Sequence, residues 1–150
     1  MIFVYSRLGG AASLSAENVH IAVFASIIGA GRIEIGDFSG LSSRVSLYSS
    51  TDDYSGIAMT NPTVPGQYRK VINENVVLGL HVIVSSGSVI LPGVTLGDGV
   101  AIGALSLVNS DCPEFGIYVG APARFVRERR RDLLAVEQRW ADAMELKSQD

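Results

Sequence analysis

Scarcities frame this sequence of 150 residues. Cysteine occurs once, at Cys112, so no internal disulfide staples the fold, and the chain suits a reducing, cytoplasmic compartment. Histidine occurs twice, at His20 and His81, short of the three imidazoles that a carbonic-anhydrase-type zinc centre needs, and no metal is expected. No apolar run approaches the roughly 18 residues of a membrane span. Residues 1–7 lack the basic start and long apolar stretch of a secretory signal. Positive charge is scarce too: 12 Lys and Arg against 15 Asp and Glu leave a net charge of -3, which argues against a nucleic-acid partner. With 47% hydrophobic and 18% charged residues, the chain is too apolar for disorder and can fill the core of one domain.

What is abundant is periodicity. From residue 72 the chain divides into sixes: INENVV, LGLHVI, VSSGSV, ILPGVT, LGDGVA and IGALSL. The first position reads Ile72, Leu78, Val84, Ile90, Leu96, Ile102 and then Val108, always aliphatic. The fifth reads Val76, Val82, Ser88, Val94, Val100 and Ser106, always small or β-branched. A period of six matches neither a helix nor a plain strand; it fits a short strand and a turn, repeated. No hexad can bury its aliphatic alone, so coils must stack, and three faces per coil would make residues 72–107 two coils. Recurrent glycines and Pro92 supply the turns. The glycines of LGDGVAIG obey this repeat and are not a phosphate loop. Ile35, Leu41 and Leu47 carry the pattern upstream, whereas residues 19–31 are β-like in an ambiguous register.

Two segments break the period. Leu47 and Ile72 are 25 residues apart, one more than a multiple of six, and residues 50–70 are polar with Gly56, Pro62, Pro65 and Gly66. This segment is expected to be a loop thrown out of the coil and ordered by Tyr54, Tyr68 and its prolines. Loops of about 20 residues inside compact domains usually carry function. After Val108, turn chemistry around Pro113 and Gly116 leads to a short strand and the run GAPA. Leu133, Val136, Trp140 and Met144 then form an apolar stripe at helical spacing. A helix over residues 126–147 is predicted, covering or flanking one end of the coil, with the charges of residues 127–132 solvated. The domain reading is a coil over residues 1–125, loop 50–70 extruded, followed by that helix.

The hexads, the loop and the ending GAPARFVRER together resemble the hexapeptide-repeat acyltransferase family over about residues 33–131, and within it the sugar O- and N-acetyltransferases. The resemblance implies an all-β solenoid: a left-handed parallel β-helix with an extruded loop and a C-terminal α-helix. It also implies a homotrimer with acetyl-CoA bound between neighbouring subunits. The pantetheine arm would pass turns at Ser86 and Ala104, and the nucleotide phosphates would meet Arg124 and Arg127 of PARFVR. Arginine's planar donors suit that task. Where the family often has Thr-Lys after the last repeat, this chain has Asn109 and Ser110, a departure that removes a cation from that part of the coenzyme site.

Transfer to a hydroxyl or amine needs a base, and histidine titrates near working pH. His20 lies in the apolar segment NVHIAVF, whereas His81, fourth in LGLHVI, should project outward, so His81 is the expected base. Many relatives carry a histidine, often as His-Asp, in the segment that corresponds here to LYSSTDDYSG, where this chain has Asp52 and Asp53 alone. On the resemblance, one of these aspartates orients His81 or binds a sugar hydroxyl, and Tyr54 and Asn61 shape the acceptor pocket; the alternative makes the aspartates ordinary turn residues. A backbone N–H near Ser86 or Ser88 would stabilise the oxyanion. The implied function is acetyl transfer from acetyl-CoA to a sugar, nucleotide sugar or polysaccharide precursor. The alternative is a non-catalytic scaffold or binding protein of the same fold, which would need neither the loop nor the GAPARFVRER ending.

Overall fold

A computed structural model describes residues 18–147; the reading of residues 1–7 therefore falls outside it. The chain visits three sheets in rotation, two or three residues at a time until the longer last strand, Gly116–Gly120. The first sheet takes His20–Ile21, Gly40–Leu41, Ile83–Val84, Ala101–Ile102 and Gly116–Gly120. The second takes Ser26–Ile28, Ser46–Tyr48, Val89–Ile90 and Leu107–Val108, and the third Ile33–Ile35, Val76–Leu78 and Thr95–Leu96, which Cys112 extends by a bridge to Leu96. Neighbours within these sheets are parallel and in register, Gly40 beside Ile83 beside Ala101 beside Ile117.

The hexad positions explain the core. From Leu78 to Val108 the first-position aliphatics are buried, and so is every fifth-position residue from Val76 to Ser106. Ile72 departs from the expectation: it is half-buried and pairs with Thr51 outside the three sheets, so the downstream repeat enters the coil at Val76. The upstream register also resolves. Ile33 pairs with Val76 and Ile35 with Leu78, so Ile27 and Ile33 occupy a first and a fifth position, and two extra residues lie between them.

Serines at fifth positions replace a methyl contact with a bond between coils. The Ser39 hydroxyl donates to the Gly79 carbonyl at 2.9 Å and accepts from the Val82 amide at 3.0 Å. Ser88 likewise donates to the Gly103 carbonyl at 2.9 Å and accepts from the Ser106 amide at 3.2 Å. These buried hydroxyls are satisfied, as burial demands.

Turns between sheets stack in columns. The turn entering the first sheet places Asn18, Phe38, His81, Gly99 and Phe115 at φ between 51° and 68°. The next turn does the same with Phe24, Arg44, Gly87 and Leu105, φ 58° to 72°. A left-handed backbone costs a residue with a side chain roughly 1–2 kcal/mol, so glycine alone does not make these turns; packing holds the others. Steric room matters elsewhere: a Cβ at Gly36 would lie 2.5 Å from the Gly79 carbonyl oxygen of the next coil.

At the turn from the second sheet to the third, the chain leaves the coil as an arm. Ser50–Asp52 and Val71–Asn73 form its antiparallel stem, so the excursion runs three residues past the predicted loop end. Beyond the coil, Ala123–Glu128 turns back antiparallel on Gly116–Gly120, and the helix begins at Asp132, not at residue 126. Pairing with an exposed sheet edge holds residues 126–128 as strand, ahead of the stripe that starts at Leu133. The helix (Asp132–Lys147) lies along the column of first-sheet turns and does not cap an end of the coil. Arg131 sits over the Phe115 ring, Glu137 meets His81, and Trp140 meets Phe38 edge-on. Among the described residues no helix is long and apolar enough to cross a membrane.

Candidate active site

His81 projects outward from its turn, as its hexad position requires, and is then covered by the C-terminal helix. Its side chain is only 13% exposed. One face stacks on Phe38 with centroids 5.1 Å apart and planes 11° off parallel. Nε2 lies 2.7 Å from Glu137 Oε2, and the His81 amide donates to the Asp37 carbonyl at 2.9 Å. Arg129 closes the back, donating from Nη1 to the carbonyls of His81 (2.8 Å) and Gly99 (2.9 Å), and burial lowers its pKa from the ordinary value. A carboxylate accepting from Nε2 leaves Nδ1 as the basic nitrogen.

Two hollows adjoin this imidazole. An apolar one of about 530 Å³ opens against Leu133, Val136 and Trp140. A smaller one of about 270 Å³ is lined by His81, His20, Ser39 and Arg129. The structure thus brings both histidines to one hollow, although His20 lies in a strand that read as purely apolar.

The carboxylate at His81 comes from the helix. Asp53, the buried one of the arm's aspartates, accepts from the Ser55 hydroxyl at 2.7 Å and the Ser55 amide at 3.2 Å. Those bonds, the hydroxyl foremost, hold its carboxyl below the usual carboxylate range, with Lys70 helping and burial opposing. Asp53 is therefore a turn-closing anion and a poor proton acceptor. Asp52 is exposed at the end of the arm's first stem strand. Tyr54 is 92% exposed, and Asn61 Oδ1 accepts from the Thr63 amide and hydroxyl at 2.9 and 2.8 Å.

The remaining candidates sit on other turns. Ser86 and Ala104 are exposed on successive coils of the turn from first to second sheet, where the Leu105 amide donates to the Ser86 carbonyl at 3.0 Å. The Ser88 amide is taken by the Ser85 carbonyl at 3.3 Å, which removes it as an oxyanion donor. Asn109 and Ser110 are exposed on the turn column that carries the arm. Arg124 and Arg127 are exposed on the strand Ala123–Glu128, and a bulge there pairs them with Val119 and Ile117. Three residues apart, they would face opposite ways on a regular strand; the extra residue puts both on one face. Within one chain, then, His81, the pair Ser86 and Ala104, and the arm with Asn109 occupy three different turn columns.

Two contributors escaped sequence reading. Glu137 had a signal: it falls inside the stripe of Leu133, Val136 and Trp140, where a carboxylate must meet something polar. Phe38 had none, because its stacking on His81 crosses from one coil to the next. Cys112, buried with its thiol pushed up to about 11 chiefly by burial and also by Asp111, is chemically quiet.

No family model matches the chain. It is 50% identical over 121 residues to the dTDP-4-amino-4,6-dideoxy-D-glucose acyltransferase of Escherichia coli, covering 81% of this chain and 63% of that protein. The chain thus spans under two thirds of that relative's length. AntD, an N-acyltransferase from Bacillus cereus solved with dTDP and 3-hydroxybutyryl-CoA, superposes with a TM-score of 0.84 at 37% identity, covering 89% of this chain and 72% of that one. A hexapeptide-repeat acetyltransferase of Vibrio cholerae shares the fold, with a TM-score of 0.66 at 23% identity over 77% of this chain and 61% of its own.

Proposed function

The chain belongs to the hexapeptide-repeat acyltransferase family, and from that premise we propose that it moves an acyl group from coenzyme A to a sugar carried on a nucleotide. The 50% identity to an acyltransferase of a dTDP-amino sugar carries the proposal and favours an amine over a hydroxyl as acceptor. The amine nitrogen attacks the thioester carbonyl, the C–N bond forms, the C–S bond breaks, and the proton lost by nitrogen ends on the leaving thiol. A neutral imidazole at His81, its tautomer held by Glu137, carries that proton. Acetyl-CoA is the proposed donor, with its arm along Ser86 and Ala104, its phosphates at Arg124 and Arg127, and Asn109 and Ser110, on the arm's column, brought to it from a neighbouring copy. Asp52, Asp53, Tyr54 and Asn61 belong to the acceptor side, Asp53 through the loop shape it holds.

The rotation through three sheets is read as a left-handed parallel β-helix, with the helix Asp132–Lys147 appended to it. A homotrimer is part of this reading: neighbouring copies would join turn columns that one chain keeps apart. The unpaired Cys112 supports a cytoplasmic location.

Purified protein mixed with acetyl-CoA and dTDP-4-amino-4,6-dideoxyglucose should release free thiol in step with N-acetyl sugar. His81→Gln is expected to lower kcat about a hundredfold or more, with acetyl-CoA binding retained. A second reading, in which His81 only fastens the helix, is favoured by its low exposure and its bond to Glu137. Normal kcat in His81→Gln would reject the base and establish that second reading.

A further inference from the structure

Of the two hollows at His81, the larger has no task in acetyl transfer. It encloses about 530 Å³ between the helix (Asp132–Lys147) and the turn column of His81. Phe38 and Leu133 are half-buried in its wall, and Val136 and Trp140 leave 52% and 47% of their surfaces exposed. The contacts that dock the helix, Glu137 on His81 and Trp140 on Phe38, hold it over the hollow without filling it.

Two observations narrow the occupant. The first is charge. His81 and Glu137 are the ionisable side chains in the lining, and they are spent on each other at 2.7 Å. No cation is left for a phosphate, and the hydroxyls of a sugar would lie against carbon without partners. The second is position. The imidazole that lines the hollow is the proposed base, so an occupant lies next to the carbonyl that reacts. An uncharged, apolar group joined to that carbonyl is the acyl chain of the donor. Acetyl supplies a single methyl, whereas apolar hollows of this size bury whole drug-sized ligands.

We infer that the hollow under the helix receives the acyl chain, and that the donor class extends past acetyl to unbranched chains of about six carbons. The inference rests on the acyl-transfer reading with His81 as base and names the donor that this site favours. In the proposed homotrimer the thioester comes to His81 from the Ser86 and Ala104 turns of a neighbouring copy. The chain beyond the carbonyl then passes Phe38 and lies along Leu133, Val136 and Trp140. The bonds made and broken are those of acetyl transfer.

The test compares kcat/KM for acetyl-, butyryl- and hexanoyl-CoA, with dTDP-4-amino-4,6-dideoxyglucose as acceptor and thiol release as the readout. Each methylene that leaves water should improve kcat/KM roughly fourfold, so hexanoyl should exceed acetyl about tenfold or more in the parent. Val136→Phe, which fills the hollow, and Val136→Ser, which makes its wall polar, should each remove most of that preference. Val136 is exposed, so neither change disturbs the coil, and a helix that has merely come loose would not sort donors by length. A parent that uses acetyl-CoA as well as or better than hexanoyl-CoA overturns the inference and leaves acyl transfer standing. A preference for hexanoyl that survives in both variants puts the chain elsewhere and also overturns it. Transfer from none of the three donors overturns the acyl-transfer reading and the inference with it.

Discussion

At the scale of single residues, the hexad does two jobs that look alike in the sequence. Small residues at the fifth position fit the narrow interior, and that much is readable from their spacing. What spacing hides is that Ser39, Ser88 and Ser106 are buried hydroxyls bridging coils, because their partners lie up to 43 residues away in the chain. Ser39→Ala preserves the shape and leaves the Gly79 carbonyl and the Val82 amide facing each other unpaired. It should lower stability by about 1–3 kcal/mol, read as a lower urea midpoint at constant slope. An unchanged midpoint would show that the hydroxyl is replaceable by packing alone. The same distance in sequence concealed the Phe38 ring stacked on His81, whereas His81's outward direction followed from its hexad position.

At the scale of elements, local patterns were legible and docking was not. Strands of two or three residues alternate with turns because each hexad decides its own conformation, and the structure follows that decision from Val76 to Val108. The helix was equally visible as a stripe, but its position along the His81 column depends on pairings its own sequence does not contain. No helix residue is buried, so docking rests on partial contacts: Trp140 on Phe38, Glu137 on His81, Arg131 on Glu114. An element held this way opens locally well before the coil does. Glu137→Ala should therefore speed hydrogen exchange in residues 133–147 severalfold and leave the coil amides unchanged. Uniform acceleration across both would mean that the helix is part of the cooperative core.

At the scale of the molecule, the three turn columns pose a geometric problem for any one copy. The proposed base lies on the first, the proposed cosubstrate turns on the second, and the arm on the third, and three sheets hold them apart. The second column also exposes apolar side chains: Phe24 at 63%, beneath the Arg44 guanidinium, and Leu105 at 78%, beside Ala104. Their turns place these side chains outside the core, so a charge there costs the isolated fold little. If the proposed homotrimer joins columns from adjoining copies, Leu105→Glu should break both assembly and transfer. Light scattering should then change from three copies to one, the melting of the coil should move little, and acyl transfer should fall by orders of magnitude together with acetyl-CoA affinity. A variant that stays trimeric, or a parent that transfers acyl groups as a monomer, would remove the shared seam from the mechanism and require each chain to bring base and thioester together by itself.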